Sequence, residues 1–129
     1  MISERYCVIG FGCILSKNQI LYLYEKYLPN WNLKDGFNMD SLIKTIKKKN
    51  ISTNIYFYHD HHSFDKVFLT IKILEDNSRY DDHSFKNLDL ETLKDDNYIN
   101  ILNEEMKKTI NLLNIEINDF GWKIYNYRI

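Results

Sequence analysis

Alanine is missing from this chain of 129 residues, proline occurs once, and cysteine occurs twice. Cys7 and Cys13 stand six positions apart in one extended stretch. At strand rise that is about 20 Å, too far for a disulfide between them, so a reducing, intracellular and cytoplasmic setting is expected. A dominant charge is also lacking, because 17 Lys and Arg against 18 Asp and Glu leave a net charge of -1. Long-range attraction to nucleic acid or to an acidic membrane is thereby excluded, and any such binding has to be local. No apolar run approaches the roughly 20 residues that cross a bilayer, and the start of the chain lacks the layout of a signal peptide, so no membrane partner is expected. Gly10-Phe11-Gly12 opens no dinucleotide fingerprint, since Leu15 stands where the third glycine would be.

What abounds is Ile, Asn, Lys and Tyr, a bias that matches AT-rich codons and so reports a genome such as that of a large DNA virus, a protist or a low-GC bacterium. The length suits one domain over residues 1–129, large enough to bury a core without metal or disulfide. Charge is unevenly placed. Residues 75–96 hold eight acids and three bases, and residues 75–94 read as a long acidic loop with one short turn near Leu88 to Leu93.

The chain is organised around Arg5 to Leu15, where Cys7, Ile9, Phe11 and Cys13 alternate with Tyr6, Val8, Gly10 and Gly12. Both sets are apolar or small, which predicts a central strand covered on both faces. Ser16 with Gln19 forms a capping box, flanked by Leu15 and Ile20 as a hydrophobic staple. A helix follows to about Leu28, where Pro29 stops it. A second helix is predicted from Met39 or Asp40, with Met39, Leu42, Ile43 and Ile46 on one face and Lys47, Lys48 and Lys49 in its last turn, where cations meet exposed carbonyls. Alternation predicts strands at Thr53 to His59, Lys66 to Leu74 and Phe120 to Arg128, and the stripe Ile99, Leu102, Met106, Ile110 and Leu113 predicts a long helix from Asp95 or Asp96 to Leu113. Glu104 is expected to meet Lys108 on that helix.

The predicted order β-α-α-β-β-α-β is that of an α+β, ferredoxin-like domain: a four-stranded antiparallel sheet in strand order 4-1-3-2, with the helices packed on one face. Strands one and three, the most apolar, take the central places, and the more polar strands two and four become edges. Alternation then assigns Cys7, Ile9, Phe11, Cys13, Ile55, Phe57, Val67, Leu69, Ile71, Trp122 and Ile124 to the helix side. Left on the other side are Tyr6, Val8, Gly10, Gly12, Tyr56, Tyr58, Lys66, Phe68, Thr70, Lys72, Lys123, Tyr125 and Tyr127.

An uncovered sheet face so rich in aromatic rings calls for an occupant. A second copy fits it, with the glycine pair permitting close sheet-to-sheet approach, and makes Tyr6, Gly10, Gly12, Tyr56, Tyr58, Phe68, Tyr125 and Tyr127 the candidate interface. The lead expectation is therefore a non-catalytic interaction or structural protein, a homo-oligomer or one with a protein partner. An RRM-like module stacking single-stranded nucleic acid on the same rings is the alternative. Against it stand the neutral charge and a third strand, KVFLTIKI, with Phe68 as its one aromatic residue. A third occupant is the acidic loop itself, folding back through Tyr80, Phe85, Leu88 or Leu90.

Chemistry has fewer footholds. His59, His61 and His62 lie in YHDHHSFD, and the first two point the same way in an extended segment, so a divalent metal held with Asp60 or Asp65 is the second alternative, a small metal-dependent enzyme. No other cofactor is suggested. Cys7 and Cys13, both placed on the core side, are read as packing groups rather than nucleophiles. No catalytic triad, carboxylate pair or phosphate loop can be traced.

Overall fold

Ser16 turns the chain from strand to helix. Its hydroxyl accepts the Gln19 N–H at 3.3 Å while the Gln19 side chain accepts the Ser16 N–H at 2.8 Å, which closes the expected capping box. In the computed structural model, which describes residues 5–36, 38–50, 55–60, 63–77 and 90–128, β1 (Arg5–Ser16) thus leads directly into α1 (Lys17–Tyr27). Leu15 and Ile20, on either side of the cap, are both fully buried. The Leu28 N–H reaches back to the Tyr24 carbonyl at 2.7 Å, and Pro29 cannot continue the ladder.

Asn38 starts α2 (Met39–Asn50) by accepting the Ser41 N–H at 3.1 Å. Met39, Leu42 and Ile46 are buried, whereas Ile43 lies at the margin and is half-buried. A short α3 (Leu90–Lys94) precedes α4 (Asp96–Leu113), which Asp95 caps by accepting the Asn97 and Tyr98 N–H groups at 2.9 and 3.2 Å. Leu102, Met106, Ile110 and Leu113 bury the inner stripe of α4, and Asn114 ends it in the left-handed conformation at φ 55°. The exposed Glu104 meets Lys107 at 3.4 Å rather than the expected Lys108; both spacings bring side chains together on a helix, and neither pair contributes much in water.

Four antiparallel strands, β1, β2 (Tyr56–Asp60), β3 (Ser63–Asn77) and β4 (Gly121–Arg128), form one sheet in the order β2-β3-β1-β4. The protein is thus α+β, with β1 and β3 in the inner places. β3 is longer than expected: Glu75, Asp76 and Asn77, assigned to the acidic loop from their composition, pair with Ile9, Val8 and Cys7 of β1. Pairing with an inner strand overrides their weak strand preference. The rest of that loop, apart from α3, lies outside the described residues, as do His61, His62, Tyr80, Phe85 and Leu88.

Register between β1 and β3 slips by one residue between Ile9 and Gly10 and again between Phe11 and Gly12, which leaves Ile71 and Leu74 without a directly opposed residue on β1. Bulges of this kind bend a strand and increase its twist. They also end the strict alternation expected along β3. Val67, Leu69 and Ile71 enter the core, but Ile73 is only half-buried and stays outside it.

The main core lies between the helices and one sheet face, with Phe11, Cys13, Leu15, Ile55, Val67 and Leu69 meeting Leu23, Tyr24, Leu42, Met106 and Leu113. Phe57 and Trp122 pack at its edge, as their expected side requires. Ile124, assigned to the same side, is instead 67% exposed. Tyr98 in the first turn of α4 packs on Trp122, with 6.2 Å between ring centroids, whereas Ile124, about 7 Å further along the strand, stays outside the core. Cys7, near the same end of β1, is half-buried rather than part of the core.

Candidate interaction face

The sheet face turned away from the helices follows from side-chain alternation in the two inner strands. Val8 of β1 and Phe68 and Thr70 of β3 are fully buried there, although they lie outside the helix-side core. A second, smaller core therefore exists, and aromatic rings build it. Tyr125 stacks on Phe68 at 5.6 Å and its hydroxyl donates to the Lys66 carbonyl at 3.0 Å, so this β4 side chain reaches across β1 to β3. Tyr58 approaches Phe68 from β2 at 6.5 Å. Tyr127 lies among Tyr6 at 5.2 Å, Tyr58 at 5.4 Å and Tyr125 at 6.2 Å, giving a connected tyrosine layer.

Burial raises the Tyr125 phenol above the ordinary tyrosine range; a hydrogen bond with the Asp60 backbone offsets part of the rise, and the Asp60 charge adds to it more weakly. An effect of Asp60 on a β4 residue is unexpected in a flat sheet, where β2 and β4, three strand spacings apart in the observed order, would be separated by about 14 Å. Here Cα atoms of these two edge strands approach within 8 Å. Arg128 donates from Nε to both Asp60 carboxylate oxygens at 3.2 and 3.0 Å, and from Nη2 to one of them at 2.9 Å. The sheet is thus curled around the tyrosine layer, and a cleft of about 430 Å³ lined by Asp60, Asn126, Tyr127 and Arg128 opens where the strand ends meet.

Curling this tight requires the inner strands to lie close together. A Cβ added at Gly12 would stand 1.9 Å from the Leu69 carbonyl oxygen and 2.7 Å from the Thr70 Cα. One at Gly10 would stand 2.5 Å from the Thr70 hydroxyl. That hydroxyl lies beneath Gly10 and donates to the Phe11 carbonyl at 2.8 Å, with the Lys72 carbonyl a second acceptor at 3.0 Å. The room left by the two glycines is thus taken by β3 of the same chain.

The eight residues assigned to the binding face from sequence accordingly take two depths. Gly10, Gly12 and Phe68 are buried, while Tyr6, Tyr58, Tyr125 and Tyr127 are half-buried and Tyr56 is 42% exposed at the β2 edge. The Lys47 ammonium sits 5.7 Å from the Tyr56 ring, a cation–π contact. Sequence reasoning missed the Asp60–Arg128 pair, because contact between two edge strands depends on sheet curvature and leaves no local pattern. Asp60 entered only as an oxygen ligand for metal.

Of the histidine candidates only His59 is described; it is half-buried opposite Val67, and no group of three His, Cys, Asp or Glu able to hold a metal occurs among the described residues. Burial pushes the Cys13 thiol up to about 12, which removes the thiolate a nucleophile needs. Among the described residues no helix is long and apolar enough to cross a membrane. Comparison of the chain with protein families, with curated proteins and with solved structures found no match.

Proposed function

We propose that this protein works by association rather than catalysis, pairing with a second copy through the tyrosine-bearing sheet face. The observation that carries this reading is the connected layer of Tyr6, Tyr58, Tyr125 and Tyr127, half-buried on the face away from the helices, with Tyr56 exposed at its rim. Half-buried tyrosines offer apolar ring area and a polar tip at low entropic cost, the composition of interface centres. We read the architecture as ferredoxin-like, supported by the order of strand neighbours and by the helices packing on one face. The RRM-like reading draws less support, since the rings that would receive bases already stack on one another.

Light scattering over a concentration series tests the proposal. Wild-type protein is expected to reach the dimer mass, and Tyr6→Lys combined with Tyr56→Lys to remain a monomer with an unchanged circular dichroism spectrum. A wild-type monomer at every concentration, or a dimer unaffected by the two lysines, sinks it. Phe68 is unsuited to this test, because at 0% exposure a charge placed there unfolds the second core before it reports on an interface.

A further inference from the structure

We infer that the Asp60–Arg128 pair is a clasp that controls exposure of the tyrosine layer. Three observations combine. First, β2 and β4 are separated in the sheet by β3 and β1, and the strand pairings among the described residues include no hydrogen-bonded ladder between them. Side chains join the two edges, through the Asp60–Arg128 ion pair and the Tyr58–Tyr127 ring contact at 5.4 Å, while the Tyr125 hydroxyl ties β4 to the Lys66 carbonyl of β3. Second, the ion pair stands at the mouth of the curl, with Asp60 19% and Arg128 38% exposed, so that solvent and salt reach it. Third, the ladders of β2 with β3 and of β4 with β1 do not depend on this contact, so the edges can spread while the sheet stays paired.

Spreading the edges lifts Tyr58 and Tyr127 apart and uncovers ring faces that now lie against each other. A region held by a few side-chain contacts opens at far lower cost than the ladders on either side of it. The clasp stands on this geometry alone. Its consequence, that opening presents the rings to a second copy, rests on the association reading. In the closed state the layer is satisfied internally; wild type docks through its open fraction, and release of the ion pair enlarges that fraction.

Hydroxyl-radical footprinting read residue by residue, at a dilution that keeps every protein monomeric, tests the clasp, and light scattering over a concentration series tests its consequence. The proteins are wild type, Arg128→Ala, Asp60→Asn and the exchanged pair Asp60→Arg with Arg128→Asp. In each single variant Tyr58, Tyr125 and Tyr127 are expected to be labelled about fivefold faster, while Tyr24, buried on the inner face of α1, keeps its wild-type rate. The exchanged pair restores slow labelling. Unchanged labelling of the three tyrosines overturns the clasp, and so does an equal acceleration at Tyr24, which marks general unfolding. If labelling behaves as expected but every variant stays monomeric, the clasp stands and the association reading falls.

Discussion

Replacing Gly12 with alanine adds one methyl group where the backbone of a neighbouring strand already lies. The added carbon would stand 1.9 Å from the Leu69 carbonyl oxygen, 2.7 Å from the Thr70 Cα and 2.8 Å from the Leu69 carbonyl carbon, whereas real Cβ contacts essentially never fall below 3.0 Å. β1 and β3 must therefore separate locally by about 1 Å. These are the two inner strands, and their separation disturbs both cores at once, since Leu69 belongs to the helix-side core and Thr70 to the tyrosine side. Overpacking against side chains costs about 1–3 kcal/mol, and here the obstructing atoms are backbone that cannot rotate away, so a loss of about 3 kcal/mol is expected. In a domain with a total stability of about 5–15 kcal/mol this lowers the melting temperature by roughly 10 °C. Gly10→Ala meets a hydroxyl at 2.5 Å and one carbonyl oxygen at 2.8 Å and should cost less. Gly121→Ala, with nothing within 4 Å of the new carbon, should lie within about 0.5 kcal/mol of wild type. Urea titrations followed by circular dichroism rank the three. A Gly12→Ala protein as stable as the Gly121→Ala protein refutes the close approach of β1 and β3, and the tight curl with it.

Three further outcomes are expected. Ser16→Ala removes the hydroxyl that caps α1 and should destabilise the protein by about 1 kcal/mol in the same urea assay, with Ser16→Thr recovering most of the loss. Alkali should unfold the protein: Cys13 is raised from 9.0 to about 12 and Tyr24 from 10.0 to about 12, both by burial. Their contribution is complete below pH 9 and is lost as the unfolded chain ionises first, so denaturation midpoints should fall between about pH 9 and 12; flat midpoints across that range would contradict the burial of both groups. Finally, a maleimide reagent at neutral pH should modify the half-buried Cys7 well before the fully buried Cys13, as mass spectrometry of native protein can read; equal rates would place Cys13 outside the core.

Elements with a local cause were legible in the sequence. The Ser16–Gln19 box started α1 where its spacing indicated, Asp95 capped α4, and the Ile and Leu stripe of α4 turned inward. The α+β class followed from the order of these elements, and the apolar character of β1 and β3 matched their inner positions. Such features rest on hydrogen bonds and apolar spacings within a few residues, so the chain determines them before it is folded. Alternation also placed Tyr6, Tyr58, Phe68, Tyr125 and Tyr127 together, but it carried no information on their depth or on which ring would cover which.

Only the tertiary structure decided how far the sheet curls. Two one-residue slips between β1 and β3, matched to two glycines, bend the sheet until strands at its opposite edges meet through Asp60 and Arg128. Each slip is a property of a strand pair, set by which backbone groups of β3 find partners on β1, and neither strand encodes it alone. The same pairing carried Glu75 to Asn77 into β3, and the tertiary packing left Ile124 exposed where alternation assigned it to the helix side. Residue types and their periods thus supplied the strands and helices. Burial of Phe68, the tyrosine layer over it and the ion pair at its mouth arose from contacts between segments far apart in the chain.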